Sequence, residues 1–536
     1  MADFEGAYRY VAETSPLSLL YECRNIFRQY CGTNEFAEDL QACPIVDKPY
    51  SSNWPHPVDL PPRAQFDRYV ETFFAQINDM YFIFDLAFLT DLANDVYADP
   101  GAVTYKAVVV YLVSAISSLY DDFSTGGRES PTTARYFRRS QYLTSQIDDF
   151  DDFWLVLIYY TTHFYYLGVC RKSTSWIYLN MAIKHAQALG LHRNFIVEQF
   201  SDQVKFRKQI FRSLYISDRV FALIHGRPLA IHDYDWDELR LIQQSSFSNN
   251  STQLEKCQME SAKICAIISR IIDNFYRDRV IDGDRTKKLA VELKLWSYNL
   301  DKDLNIEALL NSTKPQPISR CLLLMHLLNL YGIMLLSRPF YMFESISRFN
   351  KSTKSDSLTK EFHQAAIKAS VLCITLVNFY VNLCGTRFYE SAVVSNCCFF
   401  AALLIGTEIL SQSKQDNSEY MDTLKIAKNL LTSFGVTFET AGRYGEIIEN
   451  MVEALVRSKH PAKPEYTISW DLADLKFLGD LNGNLQSMLE FQQGFVPKEI
   501  ASIGDFIGPN ANTESVIKTD LPYNYVNYEL FFGDKY

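Results

Sequence analysis

Residues 175–194 read SWIYLNMAIKHAQALGLHRN, and this stretch is the clearest indication of the fold. Apolar side chains recur along it every three or four residues, which is the period of one face of an α-helix. The members of this stripe are Trp176, Leu179, Ile183, Ala186 and Leu189. Gly190 follows at a position where a residue in the left-handed conformation commonly ends a helix. We therefore predict an amphipathic helix that ends at Gly190.

A second segment, residues 206–235, has the same helical spacing and an unusual pair of charges. Asp218 and Arg219 stand inside its apolar run, and the turn Gly226-Arg227-Pro228 follows. We interpret the pair as a buried or half-buried ionic latch between helix and turn. A buried ion pair is a weak argument for stability, but it can fix one arrangement of elements.

The same helical period continues over most of residues 63–460, and strand alternation bounded by turn residues is hard to find. Polar clusters interrupt the period at residues 124–132, 243–253, 311–317, 350–357 and 411–418. We therefore predict an all-α protein, with a large multi-helix body and irregular acidic ends.

Four regions follow from these breaks. Residues 1–62 are predicted to be an N-terminal linker or strap, because six prolines fall within 44–62. Residues 63–245 and 254–460 are predicted to be two helical halves. Residues 461–536 are predicted to be an acidic, aromatic tail.

Charge separates the ends from the middle. The 536 residues include 52 Lys and Arg against 63 Asp and Glu, which gives a net charge of −11. Residues 1–60 carry −5 and residues 461–536 carry −6, so the middle is neutral. Nucleic-acid binding by the middle is disfavoured, because contacts to phosphates need a surplus of basic side chains. A hydrophobic content of 48% excludes global disorder.

Cysteine usage and hydropathy bear on the compartment. The eleven cysteines are scattered without a Cys-x-x-Cys pair, and no secretory signal follows Met1. We expect reduced thiols in a cytosolic or nuclear protein. Residues 153–170, 369–385 and 391–407 lack charged side chains. Polar residues interrupt all three stretches, so we interpret them as buried helices and predict no membrane contact.

One enzymatic alternative deserves a test. Asp148, Asp149 and Asp152 spell the DDxxD pattern that binds magnesium in class I terpene synthases, which are also all-helical, and residues 121–129 resemble their second acidic motif. That motif should follow the first one and here precedes it, and it contains Gly126-Gly127, which would break the helix carrying its ligands. The simpler interpretation is a solvated first turn of a helix that begins near Asp152.

No other catalytic or metal site is predicted. The sequence contains no glycine-rich phosphate loop, no Gly-x-Ser-x-Gly elbow and no His-Glu-x-x-His motif. His185 and His192 could share a helix face, but a third metal ligand is not in view. We therefore predict that the chain is not an enzyme.

The segments 175–194 and 206–235 closely resemble the regulatory domain, or middle homology region, of fungal zinc binuclear cluster transcription factors. The element Leu336-Ser337-Arg338-Pro339-Phe340 also resembles one of that family, and the likeness covers about residues 63–345. The motif positions are Trp176, Ala186, Leu189, Gly190, Leu191, His192, Arg193, Asp218, Arg219, Gly226, Arg227, Pro228, Arg338 and Pro339. Two departures are Arg212, where the family usually has Trp, and Ser337, which replaces a His.

The resemblance implies a nuclear, sequence-specific factor of RNA polymerase II transcription that binds DNA as a homodimer. In the family, six N-terminal cysteines hold two zinc ions and place a helix in the major groove. Nothing in this sequence matches that module, so we expect no cofactor in this chain and zinc only in the absent module. We expect the sequence to be the part of a longer protein that follows the module. The alternative is a relative that acts as a scaffold or sensor without its own DNA binding.

Two further sites are predicted. Some relatives respond to a small effector, and large apolar sites lie between helices. We place a candidate effector pocket at Tyr159, His163, Tyr166, Trp176 and Arg227, although these residues could simply belong to the core.

The acidic tail has no arginine, and six of its aromatic residues fall in the last 14 positions. Acidic residues can keep aromatic anchors solvated until they dock on a coactivator or mediator subunit. The proposed anchors are Tyr523, Tyr525, Tyr528, Phe531 and Phe532. The alternative is a C-terminal strap that packs on the helical body.

Overall fold

The protein folds into a helical body, here described from a computed structural model. The structure describes residues 12–38, 59–124, 129–147, 152–200, 203–244, 251–277, 283–312, 317–350, 357–384, 392–411, 418–436 and 438–458. Within these residues every regular element is helical and no strand occurs, so the all-α prediction is confirmed.

Nineteen α-helices are present in the described part of the chain. The first ten are α1 (Pro16–Cys31), α2 (Glu35–Glu38), α3 (Arg63–Phe73), α4 (Leu86–Ala98), α5 (Tyr105–Ser124), α6 (Pro131–Ser145), α7 (Asp152–Gly168), α8 (Lys172–Ala188), α9 (Asn194–Val197) and α10 (Val204–His225). The remaining nine are α11 (Asp237–Gln244), α12 (Gln253–Ile271), α13 (Gly283–Tyr298), α14 (Ile306–Leu310), α15 (Pro317–Asn350), α16 (Ser357–Cys384), α17 (Ala392–Ser411), α18 (Ser418–Phe434) and α19 (Glu439–Ser458). Two π-helical turns, Phe74–Asn78 and Ile272–Arg277, extend α3 and α12.

Each predicted polar break separates two helices, and local capping explains two of the starts. Ser130 accepts a hydrogen bond from the Thr133 amide at 3.2 Å, and Pro131 takes the first helical position of α6. Thr252 accepts from the Glu255 amide at 3.2 Å at the start of α12. The helix starts in these breaks are therefore encoded locally.

The core is continuous from α1 to α19. Neighbouring helices along the chain pack as antiparallel pairs, such as α7 with α8 and α15 with α16. Helix α10 packs on α12, and α12 packs on α15, so helices on both sides of residues 245–253 contribute to one cluster of buried side chains. The division into two helical halves remains a prediction. The cluster of buried side chains extends across the predicted boundary.

Three described helices are long and apolar enough to cross a membrane by length and composition: Pro317–Arg348, Ser357–Cys384 and Ala392–Ser411. Inside the fold, 89% and 94% of the most apolar stretches of the first and last are buried. A helix that is hydrophobic all round is buried in a large protein or in a membrane. Here the surrounding helices cover most of that surface.

The N-terminal region corrects one expectation. We predicted an irregular linker for residues 1–62, but Pro16–Cys31 forms a helix whose Leu19, Cys23 and Phe27 are fully buried. Ser15 caps it by accepting a hydrogen bond from the Leu17 amide at 3.3 Å. The prolines behind the linker prediction all follow this helix, and its apolar side chains recur at helical spacing.

Candidate regulatory site

The end of α8 has the predicted geometry. The Leu191 amide donates to the Ala186 carbonyl and the Gly190 amide donates to the Gln187 carbonyl, both at 3.0 Å. Gly190 has a φ of +70°, in the left-handed region. This pattern is a Schellman motif, which satisfies carbonyls that the helix end leaves free. The prediction that the helix ends at Gly190 is confirmed.

The next family residues join α8 to α11. The Arg193 guanidinium lies 3.0 Å from the Asp237 carboxylate, which also accepts a hydrogen bond from the Asn194 amide at 3.2 Å. The Asp237 amide in turn donates to the His192 carbonyl at 3.1 Å. Leu191 is buried beneath this junction, and burial together with Arg193 lowers the pKa of His192. These residues therefore join the end of α8 to α11, and their surroundings favour the neutral form of His192.

The predicted ionic latch is present and more extensive than expected. Arg219 is fully buried, and its guanidinium contacts Asp218 at 3.0 Å and Asp233 at 2.5 Å. It also donates to the Ile231 carbonyl and to the Ser269 hydroxyl, both at 2.9 Å. One guanidinium thus joins α10, the turn after it and α12.

Asp218 fixes the same turn through its oxygens. The carboxylate accepts hydrogen bonds from the Ala230 and Ile231 amides at 3.0 Å each. Burial raises the pKa of Asp218, and Arg219 and these two amides oppose that rise. Tyr215 stacks under the Arg219 guanidinium at 3.5 Å and donates to Asp233 at 2.7 Å. Every charge of the cluster is thereby compensated by a neighbour, as buried charges require.

The Gly-Arg-Pro turn begins with a glycine that no other residue could replace without strain. Gly226 ends α10 with a φ of +59°, and a Cβ there would lie 2.4 Å from the Ala12 backbone nitrogen. Arg227 follows, and its guanidinium lies 5.1 Å from the centre of the Trp176 ring and donates to Ser173 at 3.1 Å. The turn therefore contacts the N-terminal segment on one side and α8 on the other.

Arg338 forms a second buried ionic cluster, with partners far away in sequence. Its guanidinium bonds both carboxylate oxygens of Glu22 on α1, at 2.6 and 3.3 Å, and the two side chains are 3% and 2% exposed. It also donates to the Ser18 hydroxyl at 2.9 Å and to the Glu13 carbonyl. Family residue Arg338 thus anchors the N-terminal helix.

Pro339 lies inside α15 without ending it. A proline has no amide hydrogen, so the carbonyl four residues earlier, that of Leu335, loses its helical donor. The Tyr276 hydroxyl donates to that carbonyl at 2.7 Å. Tyr276 belongs to the π-helical turn after α12. The proline therefore leaves a free carbonyl on α15, and a side chain from another element donates a hydrogen bond to it.

Arg212, the departure from the family pattern, is also accommodated. It is buried, and its guanidinium contacts Glu238 at 2.6 and 3.2 Å. Glu255 lies 3.9 Å away on α12. The sequence offered no sign of these partners, because they lie 26 and 43 residues from Arg212.

The five residues predicted to form an effector pocket do not surround one space. His163 lines a cavity of about 40 Å³, and the other four lie outside its lining. Tyr159 and Tyr166 instead contact Tyr178 of α8, with ring centres 5.9 and 5.2 Å apart. Known ligand pockets are several times larger than this cavity. The effector and its site remain predictions, and of the five residues only His163 lines this cavity.

His163 is held in the neutral form. Its Nδ1 lies 2.9 Å from the Ser175 hydroxyl and 3.0 Å from the Ser175 carbonyl, which joins α7 to α8. Burial lowers the pKa of His163 to about 4.

The acidic pattern of terpene synthases does not form a described site. Asp152 begins α7, as the simpler interpretation predicts, while Asp148 and Asp149 lie outside the described residues. Asp122 is a capping partner, since it accepts from the Ser130 amide at 2.8 Å and from the Thr133 hydroxyl at 2.7 Å. Across the described residues, no cluster of three metal-ligating side chains occurs. The tail residues Tyr523, Tyr525, Tyr528, Phe531 and Phe532 also lie outside the described part of the chain.

Comparison with known proteins agrees with the motif geometry. Residues 70–291 match the fungal specific transcription factor domain. The whole chain is 38% identical to Filamentous growth regulator 27 of Candida albicans and covers 70% of that protein. A 25% identical match joins 41% of the chain to 26% of Activator of stress genes protein 1 of the same organism. A 20% identical match joins 65% of the chain to 44% of an uncharacterised transcriptional regulatory protein of Schizosaccharomyces pombe.

The helical fold, the two motif segments and these relatives define a transcription regulator. The chain belongs to the family of fungal transcription factors that carry the fungal specific transcription factor domain. The resemblance seen in the sequence is confirmed.

Proposed function

We propose that the chain is the regulatory body and activation tail of a nuclear factor that controls RNA polymerase II transcription at specific DNA sites. The identity of 38% along the whole chain to a regulator of filamentous growth carries this proposal. The role is regulatory rather than enzymatic. Incubation with prenyl diphosphates and magnesium should therefore yield no product.

The helical body is suited to control rather than to DNA contact. Residues 61–460 have no net charge, whereas phosphate binding needs a basic surface. DNA contact belongs to a zinc module outside this chain, and the homodimer expected for the family belongs to the full-length factor. This chain itself is expected to bind no cofactor and no membrane.

The tail is the proposed contact to coactivator or mediator subunits. Residues 461–536 have a net charge of −6 and no arginine, and aromatic side chains cluster at Tyr523–Tyr536. A few aromatic anchors carry most of the binding energy in such interfaces. Acidic neighbours keep them in water until a groove is available.

A reporter experiment tests the tail. Residues 513–536 are fused to a heterologous DNA-binding domain, and transcription of a reporter is measured beside the paired variant Phe531→Ala/Phe532→Ala. We expect activation by the wild-type fusion and a loss of about tenfold in the variant, because two anchors are removed. The variant Asn524→Ala/Asn527→Ala is the matched control and should retain activity. A silent wild-type fusion would contradict the proposal and favour a packed C-terminal strap.

The scaffold alternative predicts a different result. A chain that acts within a larger assembly without its own DNA module should bind chromatin only through partners. Chromatin mapping of the full-length protein, with and without any cysteine-rich segment encoded upstream of Met1, separates the two. Dependence on six closely spaced upstream cysteines would support direct DNA binding.

A further inference from the structure

The cavity beside His163 lies where several helix ends meet. Its wall is formed by the π-helical turn after α3, the last turns of α7 and α10, and the first turn of α17. π-Helical turns often occur at functional sites, since they displace side chains from the helical register. Asn78, the last residue of this turn, accepts hydrogen bonds from the Ile83 and Phe84 amides at 3.0 and 2.8 Å. These bonds fix the loop that carries Met80 and Tyr81 into the wall.

The wall is uncharged, and six of its side chains are polar: Gln76, Tyr81, Tyr120, His163, Ser217 and His225. No Asp, Glu, Lys or Arg lines the cavity. The Tyr81 hydroxyl and the imidazoles of His163 and His225 are set among apolar residues such as Phe164 and Val220. Burial, with Lys172 and Arg227 nearby, lowers the pKa of His225 well below its ordinary value, so both rings are neutral. A charged molecule would lose its hydration here, and no charged side chain lines the cavity to pair with it directly.

Two of these polar groups have no partner within the described part of the chain. Tyr81 is 6% exposed, and neither its hydroxyl nor the His225 ring has a hydrogen-bond partner among the described residues. Nearby Tyr160 shows the ordinary solution, because its hydroxyl contacts Ser217 at 2.8 Å and the Ser213 carbonyl at 3.1 Å. His225 is only partly buried, and neither polar group is sealed off, so water or a ligand in the cavity can supply the missing hydrogen bond.

We propose that this cavity binds a small uncharged molecule of a few heavy atoms that carries a carbonyl, amide or hydroxyl group. The free volume of about 40 Å³ limits the ligand to that size unless Met80, a flexible side chain, turns aside. Tyr81 donates a hydrogen bond to the ligand oxygen, and an imidazole nitrogen accepts from a ligand N–H or O–H. This inference rests on the proposed regulatory function, since it names the class of small molecule that could control the regulatory body.

The same helix that forms the wall also holds the N-terminal segment. The last turns of α10 contribute Ile224 and His225 to the cavity. On the other side of these turns, the Ile224 carbonyl accepts from the Ser15 hydroxyl at 3.2 Å, and the Ala222 carbonyl accepts from the Thr14 hydroxyl at 3.0 Å. Occupancy of the cavity is thus positioned to alter how residues 12–15 are held.

The test uses acetamide and acetate, which are alike in size and differ in charge. The full chain is labelled with ¹³C at the methionine methyl groups, and the Met80 signal is assigned with the variant Met80→Leu. We expect acetamide to shift the Met80 signal saturably, with a Kd of about 1–10 mM for so small a ligand. Acetate at the same concentrations should leave it unshifted. Met451, which packs on α17 at Gly406, serves as the internal control.

A pair of tyrosine variants distinguishes a binding site from a packing defect. Tyr81→Phe should retain or raise the midpoint of thermal unfolding and weaken acetamide binding about fivefold, because one hydrogen bond to the ligand is lost. Tyr160→Phe should lower the midpoint, because Ser217 then loses its partner.

The outcomes are separate from those of the reporter experiment. Absence of a saturable Met80 shift with acetamide, or equal shifts with acetate, would overturn the proposed site. Unchanged acetamide affinity in Tyr81→Phe would overturn the role of the hydroxyl. None of these results depends on whether the tail activates transcription.

Discussion

Arg219 and Arg338 are both buried arginines of family motifs, and they differ in where their partners lie. Arg219 pairs with residues 1 and 14 positions away, on its own helix and in the turn that follows it. Arg338 pairs with Glu22, which precedes it by 316 residues. The ion pairs of Arg219 therefore shape a local turn, and only its hydrogen bond to Ser269 reaches α12. The ion pair of Arg338 instead closes the chain between its first helix and α15.

The two clusters also differ in how their acidic partners would be compensated if the arginine were removed. Without Arg219, Asp218 keeps two backbone amide donors, and Asp233 is 31% exposed to solvent. Without Arg338, both oxygens of a Glu22 side chain that is only 2% exposed lose their cation. An uncompensated buried charge is the costliest result of breaking such a pair.

The largest effect is expected for Arg338→Met. The variant should lose about 4 kcal/mol of unfolding free energy, because Glu22 stays buried without a cation. Urea unfolding followed by circular dichroism measures this loss. Arg240→Met, at an exposed arginine, is the control and should change stability by less than about 0.5 kcal/mol.

Arg219→Met should be less damaging, at about 3 kcal/mol, the low end of the range for a broken buried pair. The remaining amide donors of Asp218 and the solvent at Asp233 reduce the penalty. The same urea experiment measures it. A loss larger than that of Arg338→Met would invert the comparison between the two clusters.

Histidine titration extends the comparison to α15, the helix of Arg338. His326 is buried, its Nε2 lies 3.0 Å from the Leu304 carbonyl, and burial lowers its pKa to about 4. The unfolded chain, with a histidine pKa of about 6.5, therefore takes up the proton first as pH falls. The contribution of neutral His326 to the free energy of unfolding is therefore complete above pH 6.5. It decreases as the pH falls from 6.5 to 4 and is constant below pH 4.

His326→Gln removes this dependence. The difference in unfolding free energy between wild type and variant should shrink by about 2 kcal/mol between pH 7 and pH 5. Over this range the unfolded wild-type chain gains a proton at His326 that the folded protein does not bind, and the variant has no such group. Urea unfolding at the two pH values checks it. A difference independent of pH would show that His326 is not held neutral.

The smallest effect is expected for Tyr276→Phe, which leaves the carbonyl opposite Pro339 without a donor. The loss should be about 1 kcal/mol, the usual contribution of one hydrogen bond. Thermal or urea unfolding detects it against Tyr298→Phe, at an exposed tyrosine. An effect of zero would mean that water replaces the Tyr276 hydroxyl.

The structural features that depend on residues close together in the chain could be predicted from the sequence. The helix end at Gly190, the breaks between helices and the contact of Asp218 and Arg219 with the following turn all depend on local spacing and conformation. Long-range partners could not be predicted, since no spacing connects Glu22 to Arg338 or Glu238 to Arg212. Helical spacing also could not show which side chains line a common cavity. Tyr159 and Tyr166 therefore lie outside the cavity that His163 lines, although all three are on α7.

The N-terminal helix shows how composition can mislead. Net acidity and the prolines of residues 44–62 favoured a linker, but the apolar side chains of Pro16–Cys31 follow a helical period. Burial of that stripe against α17 outweighs composition.

The central claim is that Arg338 binds the N-terminal helix to the regulatory body through Glu22, and a double-mutant cycle tests it most directly. Urea unfolding of wild type, Glu22→Gln, Arg338→Met and the double variant gives the coupling energy of the pair. We predict a coupling of at least about 2 kcal/mol, with the double variant more stable than Arg338→Met alone, because no buried charge is left unpaired. A coupling below about 0.5 kcal/mol, the limit of additivity, would contradict the account.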